Sequence, residues 1–593
     1  MSVHRKMSFP RGTPPRWRSW LLVLLLVVLA MPTAAGDRNE PREEFTRKFD
    51  KTAPLAAGRT LQVEHRHGSV TVGAHAQRDV QIHADIRVSA DTLDEATRFG
   101  NEIQIEVTET ALGLTVRTRY PEARSGIFGR RDISFSVDYQ IVMPEDAILA
   151  LKNSFGSVTV SGVKAGVDVD NSHGWVRVRD TRGPQQIVNS FGSIEVTNHA
   201  GDATVTGSNG SVSVTQLDGA LTARNRFGQV NASRIARSAA ITNSNGAVVL
   251  ADAGGGSSVI NSFGSVNVAD IRGDVTVRNG NGSVDVRGIA GVADLATTFA
   301  SINFFDIRKR LTVNGSNGSV KGTKVGEGAT IETSFGSVDV SDIGGTLEVE
   351  NTNGRIVARD VRGNAVLKTG FGSIEASNIS GSATVTNSNA STKLDHVGGA
   401  AEVRGSFGGI TVGDVRQGLR VVSGNGNVTA TDITGETYVK TSFGLVRADR
   451  IGGTLSVDNS NGGVRAVNVK GGATVRTSFA SVILQEIGGT VDVDNQNGAV
   501  EIEGVTVKSG GRCNSFVVRT SFAPIRIFLP EDASINLNAR TSFGKITSDL
   551  ALAVSGVISG EALSGKAGAG ECEVRLTNSN GGIEIRKEAK QFK

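Results

Sequence analysis

The sequence predicts an all-β fold, an elongated parallel β-solenoid with a 36-residue sequence repeat built from coils of about 18 residues and two strands, capped at both ends. Three observations predict it. Phenylalanine recurs at Phe155, Phe191, Phe227, Phe263, Phe299, Phe335, Phe371, Phe407, Phe443 and Phe479, nine consecutive steps of 36 residues. Halfway between them stand His173, Asn209, Asn245, Asn281, Asn317, Asn353, Asn389, Asn425, Asn461 and Asn497, so one slot recurs every 18 residues and its occupant alternates. Apolar pairs such as Val158/Val160, Val176/Val178 and Val338/Val340 fall on a nine-residue lattice, the alternation of a strand with one buried face.

In chain order, residues 1–35 read as a signal peptide. Arg5, Lys6, Arg11, Arg16 and Arg18 precede an apolar run from Leu21 to Ala30, and Thr33-Ala34-Ala35 supplies small residues for cleavage. As a membrane anchor the run is short: Trp20 to Met31 gives about 18 Å of helix against a hydrocarbon core of about 30 Å. Five of the 63 Lys and Arg lie in this segment, leaving 58 against 59 Asp and Glu. A chain that close to neutral has no basic face for nucleic acid.

Residues 36–150 read as an N-terminal cap. Leu61, Val63, Val70 and Val72 resemble one early coil around His67-Gly68-Ser69. The stretch DTLDEATRFGNEI, Asp91 to Ile103, is the one convincing helix, with Asp91 or Thr92 as its N-cap. Strands are expected around 103–118 and 133–143.

Residues 151–505 form the regular solenoid, about twenty coils or roughly 95 Å of rod at a strand spacing of about 4.8 Å. Two glycine-rich corners close each coil. At the first, Asn-Gly or Phe-Gly supplies the backbone freedom a tight corner needs. The ring is expected to cover the end of the sandwich, and alternation gives each ring about 9.6 Å of axial room. An exposed Phe ridge that binds a partner is the other reading. Asn153, Asn171, Asn189, Asn243, Asn261, Asn351, Asn387, Asn459 and Asn495 precede the corner by two residues, where Thr often replaces them; these amides are expected to bond each other or the turn backbone. Asp180, Asp252, Asp270, Asp306, Asp342, Asp360, Asp414 and Asp432 open the second corner and suggest Asx turns. A calcium-binding roll has the same coil length, but its G-G-x-G-x-D signature is absent.

Residues 506–593 are irregular coils and a C-terminal cap: Phe479, Phe522 and Phe543 are spaced by 43 and 21 residues. The only cysteines, Cys513 and Cys572, both lie here. In an exported chain one disulfide between them is favoured over two separate buried thiols.

The chemistry-bearing residues point away from catalysis. Uninterrupted repeats leave no room for the long loops that wall the cleft of an enzymatic β-helix. Carboxylates such as Asp339, Glu348 and Glu350 fall at outward strand positions and read as solvated faces. His65, His67, His75 and His83 cluster in sequence, but no acidic or thiol ligand completes a metal set. No glycine-rich corner leads into a helix as a phosphate loop does. No cofactor is expected.

IVMPEDA at Ile141 to Ala147 and IFLPEDA at Ile527 to Ala533 each lead within a dozen or so residues to Ser-Phe-Gly. This passage, with the recurrent N-G-x-V and F-G-S-V corners, resembles the bacterial β-strand-repeat family catalogued as "putative adhesin", of unknown function, over roughly Phe45 to the C-terminus. The resemblance implies an exported or envelope-associated β-solenoid, in the periplasm, on the outer membrane or outside the cell, and brings no catalytic residues. The expected function is a non-catalytic, adhesin-like rod whose Thr/Ser/Asp/Arg surface makes weak repeated contacts with a glycan, surface or protein. Its alternatives are a self-assembling envelope scaffold and a carbohydrate-active β-helix enzyme.

Overall fold

The computed structural model describes residues 42–121, 133–555 and 559–588; the expected signal peptide lies outside them. Within the described residues the chain is nearly all β, with a single helix, and no helix is long and apolar enough to cross a membrane. Strand Val338–Ile343 pairs in parallel with Val320–Val325 on one side and Ile356–Val361 on the other. Strand Leu347–Asn351 does the same in a second sheet, between Ala329–Thr333 and Ala365–Thr369. Every partner lies 18 residues away, so each coil contributes one strand to each sheet. Twenty such coils run from Ile148 to Val505. The V-x-V pairs face inward between the sheets: Val338, Val340, Leu347 and Val349 are fully buried.

The second corner explains why each coil closes. In Val338–Ile343 the ladder runs through Ser341 and resumes at Ile343, omitting Asp342. Asp342 has φ 52°, in the left-handed region. That one residue acts as a bulge: it breaks the alternation, so that Ile343 also turns into the core. The same conformation recurs every 18 residues, at Gly162, Asp180, Asn198 and onward to Glu486 and Gly504. All eight aspartates expected to form Asx turns sit in this column, but so do Arg234, Lys324, Arg450 and Glu486. The position is defined by backbone conformation, which Asp and Asn adopt at lower cost than other side chains.

Both ends contain a coil out of sequence order. Near the N-terminus, Thr60–Glu64 lies between Gly113–Arg119 and Ile148–Phe155, and Val70–His75 between Ser134–Pro144 and Val158–Ser161. The expected early coil therefore exists, directly below the first regular one. Beyond it, Glu43–Pro54, Asp79–Ala90 and Ser134–Pro144 pair antiparallel, and helix Leu93–Glu102 packs on them with the Thr92 hydroxyl accepting from the Glu95 N–H at 3.3 Å. Near the C-terminus, Cys572–Asn578 lies between Phe516–Thr520 and Ile535–Arg540, and Ile583–Lys587 between Ile525–Leu529 and Ile546–Ser548. A disulfide joins Cys513 to Cys572 and ties this displaced coil to the hairpin preceding it. The two PEDA passages make the same turn: Ala147 N–H donates to Pro144 O and Ala533 N–H to Pro530 O, each at 3.1 Å.

Candidate functional site

The first corner is a column of three residues per coil. The inner position holds the Asn or Thr ladder: Asn189, Asn351 and Thr369 are buried. Their bonds go to the turn backbone. Asn189 Nδ2 donates to Gly174 O of the preceding coil at 2.8 Å and to its own Gly192 O at 3.0 Å. The glycine then carries the chain round. A Cβ on Gly192 would lie 2.2 Å from Gly174 O, and φ there is +124°, so successive coils stack glycine on glycine.

Between these two positions sits the alternating slot, and its side chain points outward. The ten phenylalanines from Phe155 to Phe479 are 43% to 64% exposed. They do not fill the corner: at nine of the ten the Asn or Thr two residues earlier occupies its interior, and Phe407, preceded by Gly405, is still 54% exposed. Nor does the axial repeat forbid rings in consecutive coils. His67, Phe155, His173 and Phe191 stack at 5.2, 4.7 and 4.8 Å between centroids, with planes within 17° of parallel. Centroids one coil apart and near-parallel planes set these four rings face to face along the stack, like teeth of a comb.

Where the slot holds Asn, the amide lies back against the rod. Asn317 Nδ2 donates to Thr298 O at 3.3 Å, Asn353 to Ser334 O at 3.2 Å, and Asn389 to Gly370 O at 2.8 Å. From Phe191 onward each gap between two rings is thus floored by a small amide, pinned to the preceding coil at Asn209, Asn245, Asn317, Asn353, Asn389 and Asn461.

The sequence reading missed that this column continues. Corner N–H groups bond down the stack from Asn497 to Phe522 to Asn580 to Phe543: Phe522 N–H donates to Gln496 O at 3.2 Å, Asn580 N–H to Ser521 O at 2.7 Å, and Phe543 N–H to Ser579 O at 3.0 Å. Phe522 and Phe543 are 64% and 81% exposed. The alternation of ring and amide therefore persists in space where the coil order in sequence is scrambled. Packing does not impose it, since consecutive rings fit at the N-terminal end and the later rings are largely solvated.

The other candidates resolve differently. His65 and His67 belong to an aromatic cluster with Tyr120, Phe135 and Tyr139. Burial pushes the His65 imidazole down to about 4 and the Tyr120 phenol up to about 12. His75 lies beside Asp79, and His83 beside Asp50 and Asp85. Among the described residues no group of three or more His, Cys, Asp or Glu is placed to hold a metal ion. Asp339 pairs with Arg359 at 3.1 Å and Glu350 with Lys368 at 2.6 Å, both as exposed ion pairs on the sheet faces.

No family model matches the chain, and no curated protein matches it either. Among solved structures, a crystal structure described as a "putative cell adhesion protein" from Clostridium sporogenes ATCC 15579 is similar at 10% identity and a TM-score of 0.16, covering 38% of this chain and 99% of that one. A likeness of that depth carries no argument about function.

Proposed function

We propose that the chain is an exported, adhesin-like rod of the cell envelope, without catalytic activity, that binds an extended partner through its phenylalanine ridge. One observation carries this reading: ring and amide alternate through the spatial stack even where the chain order does not. Exposed apolar rings in a line cost solubility and mark an interaction surface. The Thr/Ser/Asp/Arg faces favoured by the sequence are less suited to the role, because they carry both signs of charge and several of these pair with each other, as Arg177 with Glu195, Arg359 with Asp339 and Lys368 with Glu350. Repetition compensates for weak single contacts, since each ring that engages raises the effective concentration of the next.

The test is retention of the purified protein on an isolated envelope fraction, comparing wild type with a variant carrying Phe263→Ser, Phe299→Ser, Phe335→Ser and Phe371→Ser. Exposed rings can be replaced without opening the core, so the variant should fold. Retention should fall by at least about tenfold. Unchanged retention, with reduced binding instead in a variant of the charged sheet faces, would refute the ridge.

A further inference from the structure

The geometry points to a second copy of this chain as an occupant of the ridge, with the phenylalanine teeth of one rod inserted into the asparagine-floored gaps of the other. This rests on the ridge reading above and gives it a partner.

The gap has the dimensions of one aromatic ring, and the molecule itself demonstrates the fit. His173 fills the space between Phe155 and Phe191, stacked at 4.7 Å on one side and 4.8 Å on the other. From Phe191 onward the same space is floored by Asn, which is short and, at Asn209, Asn317 and Asn353 among others, held down on the preceding coil's backbone. Teeth recur every two coils, about 9.6 Å, so a ring entering midway stands about 4.8 Å from each neighbour. A partner that fills many gaps at once must carry flat groups at that same period. A second ridge, offset by one coil, has it by construction.

Ring orientation also discriminates between partners. A polysaccharide laid along the ridge would stack its sugar faces on rings lying flat along the rod. In the stacked run from His67 to Phe191 the rings lie face to face along the stack, so their faces are turned toward neighbouring coils. Insertion between teeth uses the faces.

Charge and area agree with a like partner. The ridge is flanked mainly by Ser and Gly: the frame Ser-Phe-Gly-Ser stands at 154–157, 190–193, 262–265 and 334–337. Two copies therefore meet with little like-charge repulsion. Half-exposed rings offer on the order of 100 Å² each. Ten such rings give roughly 1,000 Å² per copy, above the ~800 Å² that a stable interface buries on each side. The ends are less suited to joining rods, because each closes with antiparallel strands and a displaced coil.

The experiment is sedimentation velocity with small-angle scattering on the purified protein across its soluble concentration range. Wild type should dimerise to a particle of unchanged length and doubled cross-section. Two variants test the fit. The Phe→Ser set removes teeth. A second set, Asn281→His, Asn317→His, Asn353→His and Asn389→His, keeps every tooth and fills the gaps as His173 does. Both should raise the dimer dissociation constant by at least about tenfold. A wild type that stays monomeric throughout, a dimer of doubled length, or a dimer indifferent to gap filling would each overturn the proposal. Loss of envelope retention in the Phe→Ser set with a monomeric wild type would leave the ridge standing and remove this partner. Dimerisation lost in both sets while retention persists would support the partner and refute the ridge as the envelope contact.

Discussion

The coils before Ala300 and those after it use one corner motif in two ways. From Val167 to Asn281, strands of the corner sheet are seven residues long and run into the corner, as in Gln185–Phe191 and Ser257–Phe263. From Ala293 to Asn495 they are five residues long and stop before it, as in Ala293–Thr297 and Leu347–Asn351. In the first region the corner glycine N–H donates to the next coil, Gly246 to Phe263 O at 2.9 Å for example, and leaves the Oδ1 atoms of Asn225, Asn243, Asn261 and Asn279 buried without a partner. In the second region that N–H turns inward to its own coil's amide: Gly354 donates to Asn351 Oδ1 and Gly462 to Asn459 Oδ1, both at 3.0 Å. At the Asn-lined corners the acceptor of this N–H differs between the regions, whereas Gly426, beyond Ala300 at a Ser-lined corner, still donates to Phe443 O of the next coil at 3.2 Å. The change coincides with an alanine. Corner glycines 156, 174, 192, 228, 246, 264 and 282 have φ between +112° and +146°, which an L residue rarely adopts, and Ala300 takes the next position in the column; beyond it Gly336, Gly408, Gly426 and Gly444 return to φ between +96° and +135°. Ala390 and Ala480 also stand in this column, both in the second region.

The largest test is to place alanine where each corner stands. Gly246→Ala puts a Cβ 2.3 Å from Gly228 O at φ +135° and should cost about 4 kcal/mol, from backbone strain and coil separation together. Gly372→Ala also meets a carbonyl, Gly354 O at 1.9 Å, but φ there is not left-handed and the next coil already accommodates Ala390 in the same column. It should cost about 1 kcal/mol. Hydrogen exchange on the flanking strands measures both. Equal losses would erase the distinction between the regions.

Acid should loosen the first region from its end while sparing the second. His65 sits in the coil on which the first region rests, its Nδ1 3.1 Å from the Thr118 hydroxyl, with Tyr139 edge-on at 4.9 Å. Its folded pKa of about 4 is below the ordinary 6.5, so the unfolded state binds the proton more readily. The stabilising contribution is full above pH 6.5 and is lost as pH falls toward 4, on the order of 3 kcal/mol by that point. Exchange rates at Leu61–Glu64 and Gly113–Arg119 should rise across that window. No rise, or an equal rise around the exposed His396, would refute the assignment.

A smaller difference should follow from deleting the inner amide. Asn459→Ala removes a 2.9 Å bond to Gly444 O and leaves the buried Gly462 N–H without an acceptor, costing about 2 kcal/mol. Asn243→Ala loses bonds to Gly228 O and Gly246 O at 3.2 and 3.1 Å but also removes a buried Oδ1 that had no partner, so about 1 kcal/mol is expected. Paired denaturation curves compare them, and the reverse order would contradict the hydrogen-bond assignment.

The periodic features were legible in the sequence because each recurs in register: V-x-V pairs as buried strands, the Asn column, and the 18-residue coil all stand where the spacing puts them. Three features were not. The left-handed residue of the second corner read as Asx turns, since Asp is its commonest occupant; occupants such as Arg234, Lys324, Arg450 and Glu486 in the same column reveal that the backbone sets it. Exposure of the rings is a matter of which way the slot's side chain points at the corner, outward even at Phe407 where Gly405 leaves the inner position empty, and periodicity does not display that direction. The ridge beyond Asn497 was hidden because stacking order departs from chain order at the displaced coil, so a regular spatial column becomes steps of 43 and 21 residues.

The last comparison should show no difference between the regions. Arg234 before Ala300 and Lys324 after it both hold left-handed backbone, at φ 55° and 68°, on the opposite edge of the coil from the Phe/Asn corner. Glycine takes that conformation without a Cβ penalty, so Arg234→Gly and Lys324→Gly should each stabilise by about 1 kcal/mol, partly offset by the greater entropy of glycine in the unfolded chain. Lys324 also gives up an ion pair with Asp306 at 3.1 Å and a position over the Phe305 ring at 5.7 Å, but both are exposed and together contribute a few tenths of a kcal/mol. Equal gains in thermal midpoint would confine the effect of Ala300 to one edge of each coil. A gain at Arg234 with a loss at Lys324 would mean that the second region differs around its whole circumference, and that the alanine changes how the coils stack.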